Sequence, residues 1–146
     1  MARSVREAAM DLLARREHAT RELRDKLLAK GFDADAIDPA LEALSREGLL
    51  SDDRFVEAFV HGRIERGQGP VRIRAELRQR GVSDEAIDAW LDARDPAWLE
   101  RAEAVRRRKF GAERPTDHRE LARQSRFLQY RGFTAEQTRR VLRHDD

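Results

Sequence analysis

The chain has 146 residues, of which 40% are charged and 40% hydrophobic, with thirty Lys/Arg against twenty-eight Asp/Glu and no cysteine. That composition excludes disulfides, thiolate nucleophiles and zinc–thiolate sites, and no stretch approaches the roughly 20 apolar residues of a membrane-spanning helix. The N-terminus, Met1-Ala2-Arg3-Ser4-Val5-Arg6-Glu7, runs straight into an amphipathic pattern, so no secretory leader is expected and the cytoplasm is the expected location.

In the first fifty residues the apolar positions recur at spacings of three and four, the helical period. They predict helices from Val5 to about Glu17, Arg21 to Lys30 and Ala34 to Glu47, with Leu12, Leu23, Leu27, Ile37, Leu41 and Leu44 inward. Gly48 ends the third helix and Ser51 is placed to cap the next. Leu50 and Phe55 sit as a hydrophobic staple. That fourth helix runs to about Arg66 with Phe55 and Phe59 inward. Gly67-Gln68-Gly69-Pro70 reads as a loop with proline at the first helical position. Helices then follow over Val71–Arg80 and about Asp84–Ala93, and Asp95-Pro96 breaks the chain. The last three are expected near Ala97–Phe110, His118–Arg131 and Ala135–Arg143, with the longest loop over residues 111–117. Helical spacing puts Trp90 in the core beside Leu91 and leaves Trp98 open.

One motif returns three times, about fifty residues apart: Leu27-Leu28-Ala29-Lys30-Gly31-Phe32-Asp33, Leu77-Arg78-Gln79-Arg80-Gly81-Val82-Ser83 and Leu128-Gln129-Tyr130-Arg131-Gly132-Phe133-Thr134. In each copy the glycine suits a left-handed helix end, and the next apolar residue is placed to pack back on the leucine five positions earlier. Asp33, Ser83 or Thr134 then offers an N-cap oxygen. The expected fold is all-α: three tandem three-helix units, about nine helices, in an elongated, curved array, divided as residues 1–50, 51–96 and 97–146. The third copy departs most, with Gln124 where Leu23 and Ile73 sit. Repeats of one small helical unit point to a binding surface rather than an enzyme pocket.

The net charge of +2 hides an asymmetry: residues 99–146 carry thirteen Lys/Arg against eight Asp/Glu, a local +5. Only Lys26, Lys30 and Lys109 are lysines, and arginine suits planar contacts to phosphate and carboxylate. Two basic surfaces are expected. Arg63, Arg66, Arg72, Arg74 and Arg78 form a central patch. Arg106, Arg107, Arg108 and Lys109, with Arg119, Arg123, Arg126, Arg139 and Arg143, form a second, toward DNA or a protein partner. Taken singly, each is a solvated helix face, and a basic run in a last helical turn also satisfies the helix dipole.

Other chemistry finds little support. His18, His61, His118 and His144 follow no metal-ligand spacing, no Walker sequence is present, and no cofactor is expected. A helix-turn-helix reading of Glu76 to Ile87 would lead its recognition helix with Asp84, Glu85 and Asp88, carboxylates facing a polyanion. Sequence-specific DNA readout is therefore disfavoured.

The run Leu12-Leu13-Ala14-Arg15-Arg16-Glu17-His18, with Glu22-Leu23, Lys26-Leu27 and Lys30-Gly31-Phe32, resembles the opening of the bacterial RecX regulatory proteins. So do Leu49-Leu50-Ser51-Asp52-Asp53-Arg54-Phe55, then Gly69-Pro70, Arg72-Ile73, Glu76-Leu77 and Gly81-Val82. The closing Phe127-Leu128 and Arg131-Gly132-Phe133 fit as well. The resemblance covers essentially the whole chain. It implies a non-enzymatic negative modulator of the recombinase RecA, lying along its filament on single-stranded DNA. It implies reduced ATP hydrolysis, strand exchange and co-protease activity, and so control of DNA repair and the SOS response. RecA is the implied partner; contact with the DNA would be weak or indirect, no membrane is involved, and the chain is read as a monomer. The alternative is a general nucleic-acid-binding helical protein acting without RecA.

Overall fold

A computed structural model describes residues 3–143; Met1, Ala2 and His144 of the readings above lie outside the described residues. Within them nine helices follow in order and there is no strand: α1 Val5–Arg15, α2 Thr20–Ala29, α3 Ala34–Arg46, α4 Asp52–Glu65, α5 Pro70–Gln79, α6 Asp84–Asp88, α7 Ala97–Phe110, α8 His118–Arg131 and α9 Ala135–Leu142. No helix among them is long and apolar enough to cross a membrane.

Two compact units emerge from the contacts. The first is Met1–Phe59 with Leu77–Trp90; the second is Val60–Glu76 with Leu91–Asp146. The middle repeat thus contributes to both.

In the first unit α1, α2 and α3 pack pairwise. Leu23, Leu27, Ile37 and Leu44 are fully buried, joined by Leu12, Leu41 and Leu50, with Phe32 packed against them. Burying each such side chain contributes about 1.5–3 kcal/mol. Ser4 opens α1 with a capping box: Glu7 N–H donates to its Oγ at 3.1 Å, and the Ser4 N–H reaches Glu7 Oε1 at 3.4 Å. The N-terminus of α2 is served from the next repeat, where Asp52 Oδ1 accepts from the Thr20 N–H at 2.7 Å and its hydroxyl at 3.0 Å.

The repeated glycine turn has one geometry in all three copies. Gly31, Gly81 and Gly132 have φ of 98°, 80° and 102°. The N–H groups of Phe32, Val82 and Phe133 donate to the carbonyls of Leu27, Leu77 and Leu128 at 3.2, 3.2 and 3.1 Å, the six-to-one bond of a Schellman end. Ser83 and Thr134 accept the expected cap bonds, from Ala86 at 3.2 Å and Gln137 at 3.0 Å. Asp33 takes the N-cap backbone conformation, but its side chain makes no cap bond.

The structure adds a second reason for two of these glycines. A Cβ on Gly81 would stand 2.1 Å from Arg21 Cδ, and one on Gly132 would stand 2.3 Å from Arg72 Cβ and 2.8 Å from the Arg72 backbone nitrogen. Each turn is pressed against the second helix of the preceding repeat. In the second unit that contact is sealed by backbone bonds, Gly69 N–H to the Arg131 carbonyl at 2.8 Å and Val71 N–H to the Gly132 carbonyl at 2.9 Å. Two unpartnered donors at the start of α5 are so satisfied. Gly31, with no repeat before it, has nothing within 4 Å of its Cβ position.

Two expectations are corrected. The helix expected to about Ala93 ends at Asp88. Asp92 Oδ1 accepts from the Arg94 N–H at 2.9 Å and Asp95 Oδ1 from the Ala97 N–H at 3.0 Å, local bonds that compete with helix. Trp90, expected in the core, is at the surface, and Trp98, left open by the spacing, is the buried one. Trp90 is 38% exposed, with its indole N–H on Asp53 at 2.8 Å. Trp98 is buried, edge-on to Phe133 at 6.4 Å, and donates to the Asp92 carbonyl at 2.8 Å.

Candidate partner-binding surface

Helix α7 buries Trp98, Ala102 and Arg106, a series at steps of four. The same periodicity that carries Arg107, Arg108 and Lys109 to the surface therefore turns Arg106 inward, where it is 0% exposed. Arg106 Nε donates to Glu103 Oε1 at 2.6 Å. Its Nη1 donates to the Glu113 carbonyl at 3.1 Å and to Gln124 Oε1 at 3.4 Å, and Nη2 to the Ala112 carbonyl at 3.3 Å. Gln124 donates onward to Glu120 at 3.0 Å. Arg106 was expected in a surface patch; it is instead a buried anchor that ties residues 111–117 to α7 and α8.

The remaining members of the second patch are at the surface. Arg107, Arg108, Lys109, Arg119, Arg123, Arg126, Arg139 and Arg143 are all exposed. Arg123 forms a two-pronged pair with Glu120, both bonds at 3.0 Å. That pairing holds the Glu120 carboxyl below the ordinary carboxylate range and raises the Arg123 pKa.

Residues outside the expected patch join it. Phe110 and Phe127 meet edge to face at 5.2 Å. The Arg123 guanidinium stands 4.9 Å over the Phe110 ring, and Lys109 and Arg131 stand 5.8 and 5.1 Å over Phe127. The α7–α8 surface is thus a set of half-buried rings interleaved with cations. Arg131 also donates to the Arg66 carbonyl at 2.9 Å.

The central set divides. Arg63, Arg66, Arg72 and Arg74 lie in the second unit and Arg78 in the first. Glu76 gathers two of them, with Arg63 and Arg72 each placing Nε 3.3 Å from one of its oxygens. Arg72 also stands 5.5 Å from the Tyr130 ring, and Tyr130 is 76% exposed. Arg74 reaches the Leu91 carbonyl at 3.4 Å, and Arg66 is exposed. In the first unit Arg78 pairs with Asp84 at 2.7 Å, which raises its pKa. Among the described residues no three His, Asp or Glu side chains gather as metal ligands.

Nine helices in succession among the described residues, with arginines along their surfaces, define the class as an all-α protein of helical repeats. The comparisons specify it further. Family models for the first, second and third three-helix domains of RecX match residues 6–44, 51–91 and 97–142. The regulatory protein RecX of Halorhodospira halophila (strain DSM 244 / SL1) is 58% identical over 136 residues, 93% of this chain and 84% of that one. The protein of the same name from Pseudomonas entomophila (strain L48) is 49% identical over 139 residues, 95% and 90% of the two chains. The crystal structure of RecX from Lactobacillus salivarius shares the fold with a TM-score of 0.78 at 17% identity, over 94% of this chain and 91% of that one. A second crystal structure of regulatory protein RecX gives 0.80 at 21%, over 94% and 70%. The chain belongs to the RecX family of regulatory proteins.

Proposed function

We propose that this protein is a negative modulator of RecA that binds the RecA filament on single-stranded DNA and lowers its ATPase, strand-exchange and co-protease activities. The observation that carries the reading is the succession of all three RecX three-helix domains along one chain, with relatives near half identity or above named as regulators. Residues 1–50, 51–96 and 97–146 are the working repeats. A row of such repeats makes several weak contacts that sum by avidity on a polymeric partner. The contacts are assigned to Arg63, Arg66, Arg72, Arg74 and Arg78, and to the exposed cations from Arg107 to Arg143. The protein acts as a monomer in the cytoplasm, without a cofactor, in the control of DNA repair and the SOS response.

A second reading, direct binding of single-stranded nucleic acid, is favoured by Phe110 and Phe127 set among Lys109, Arg123 and Arg131. Rings beside cations are what base stacking and backbone tracking use. Co-sedimentation separates the two. The leading reading predicts that the protein pellets with RecA filaments at salt that releases it from naked DNA. Equal release from both at the same salt contradicts it.

A further inference from the structure

We propose that a groove between α7 and α9 binds an acidic peptide segment of a protein partner, one that carries carboxylates beside an apolar side chain. The groove encloses about 590 Å³ and lies wholly within the third repeat. Arg107 on α7, Arg114 on the loop from α7 to α8, Arg140 on α9 and Arg143 just past it supply its cations. Leu99, Ala104 and Val141 supply its apolar lining, and Glu100 and Glu103 are its carboxylates among the described residues.

The charges do not cancel. Glu103 is taken up by Arg106 at 2.6 Å and by Arg114 at 3.4 Å. Arg114 is further held by a hydrogen bond to the Val141 carbonyl, which fixes the loop to α9. Arg107, Arg140 and Arg143 make no ion pair among the described residues, and all three are exposed. Three arginines therefore line one opening, with Glu100 as the one lining carboxylate among the described residues that no ion pair engages. Guanidinium binds carboxylate through two parallel bonds, so such a rim selects Asp and Glu side chains.

The lining argues for peptide over nucleic acid. Among the described residues it contains no aromatic ring on which a base could stack. Glu100 would repel a continuous phosphodiester chain, whereas a peptide sets its carboxylates apart and can turn an apolar side chain toward Leu99 and Val141. The volume suits a few side chains rather than a helix laid along its length. Arg107 and Arg143 belong to the basic surface expected from the sequence, and the groove brings Arg114 and Arg140 beside them. The proposal goes beyond the RecA reading, since it specifies a chemistry that any partner must present and is tested without RecA.

The test is fluorescence anisotropy on the full chain with three labelled probes: a short peptide of Glu and Leu, the matched peptide of Gln and Leu, and oligo(dT). The Glu-Leu peptide is expected to bind at least about tenfold more tightly than the Gln-Leu peptide, a difference of about 1.4 kcal/mol. The paired reversal R107E/R140E is expected to abolish that preference, while R94E, at a side chain 93% exposed outside the groove, leaves it unchanged. Melting curves check the fold; if the reversal unfolds the chain, R107Q/R140Q carries the same expectation. Equal binding of the two peptides, or an undiminished preference in the groove variant, overturns the proposal. So does a groove variant that loses oligo(dT) binding while keeping the peptide.

Discussion

Arg106 donates to the side-chain oxygen of Gln124 across 3.4 Å inside the third repeat, at the position where the first two repeats carry Leu23 and Ile73. A buried guanidinium needs acceptors on every side, and leucine has none to give. The Q124L variant restores the repeat pattern yet removes one of the two acceptors of Arg106 Nη1, leaving the Glu113 carbonyl alone to hold it. Its expected cost is about 1–3 kcal/mol by urea denaturation. R106M is expected to cost about 3 kcal/mol or more, because it takes the donor from Gln124 Oε1 and frees the loop carbonyls of Ala112 and Glu113. The double variant R106M/Q124L should cost less than the two singles added, since the amide no longer lacks its partner. Additive costs would mean that the pair is not coupled.

The glycine turns make a second, graded prediction. Ala at Gly31 meets open space and carries only the penalty of left-handed backbone, about 1–2 kcal/mol. Ala at Gly132 adds a collision with the Arg72 backbone, and its loss should clearly exceed that of Gly31→Ala. Denaturant midpoints that fall equally in the two variants would contradict the proposed docking of the third repeat's turn on α5.

His18 gives the protein a pH dependence. Its ring is 1% exposed, with Nδ1 3.1 Å from the Arg16 carbonyl and Nε2 3.0 Å from Lys26 Nζ. A ring nitrogen facing a carbonyl must carry the proton, so Nδ1 donates and Nε2 accepts from the ammonium. Burial is the main cause that holds the His18 pKa below its ordinary 6.5; the Arg16 carbonyl opposes it, and the charges of Arg16 and Lys26 add to it. The sign follows. The unfolded chain takes up the proton first as pH falls, so the native state is favoured above pH 6.5 and loses stability as pH drops from there toward the folded value. Denaturation midpoints measured from about pH 7 to 5 should fall in the parent and fall less in His18→Gln.

Exposed arginines should behave differently from Arg106. R66E, R108E and R126E are expected to leave the melting temperature unchanged and to weaken filament binding, each reducing the salt slope if it neutralises a phosphate. A variant set that melts normally and binds normally would remove those positions from the contact surface.

Most helix boundaries were legible because their punctuation is local. Gly31, Gly81 and Gly132 end helices, Ser51, Ser83 and Thr134 begin them, and α7 and α8 begin and end where the periodicity put them. The shortened α6 was not legible, since the break at Asp95-Pro96 lies beyond its end and Asp92 reads equally well as a surface charge and as a turn-former. Arg106 was obscured by its neighbours: a basic run near a helix C-terminus already satisfies the helix dipole, so nothing marked one member as buried. The signal was Gln124, a polar residue at an apolar position of the repeat, which asks for a buried partner. Phe110 and Phe127 are seventeen positions apart, and only the packing of α8 on α7 joins them.

RecA ATP hydrolysis on single-stranded DNA, with this protein titrated from far below to equal recombinase concentration, tests the central claim most directly. The account predicts inhibition well below one protein per recombinase with free DNA in excess. No inhibition, or inhibition only once the protein is abundant enough to coat the DNA, would contradict it.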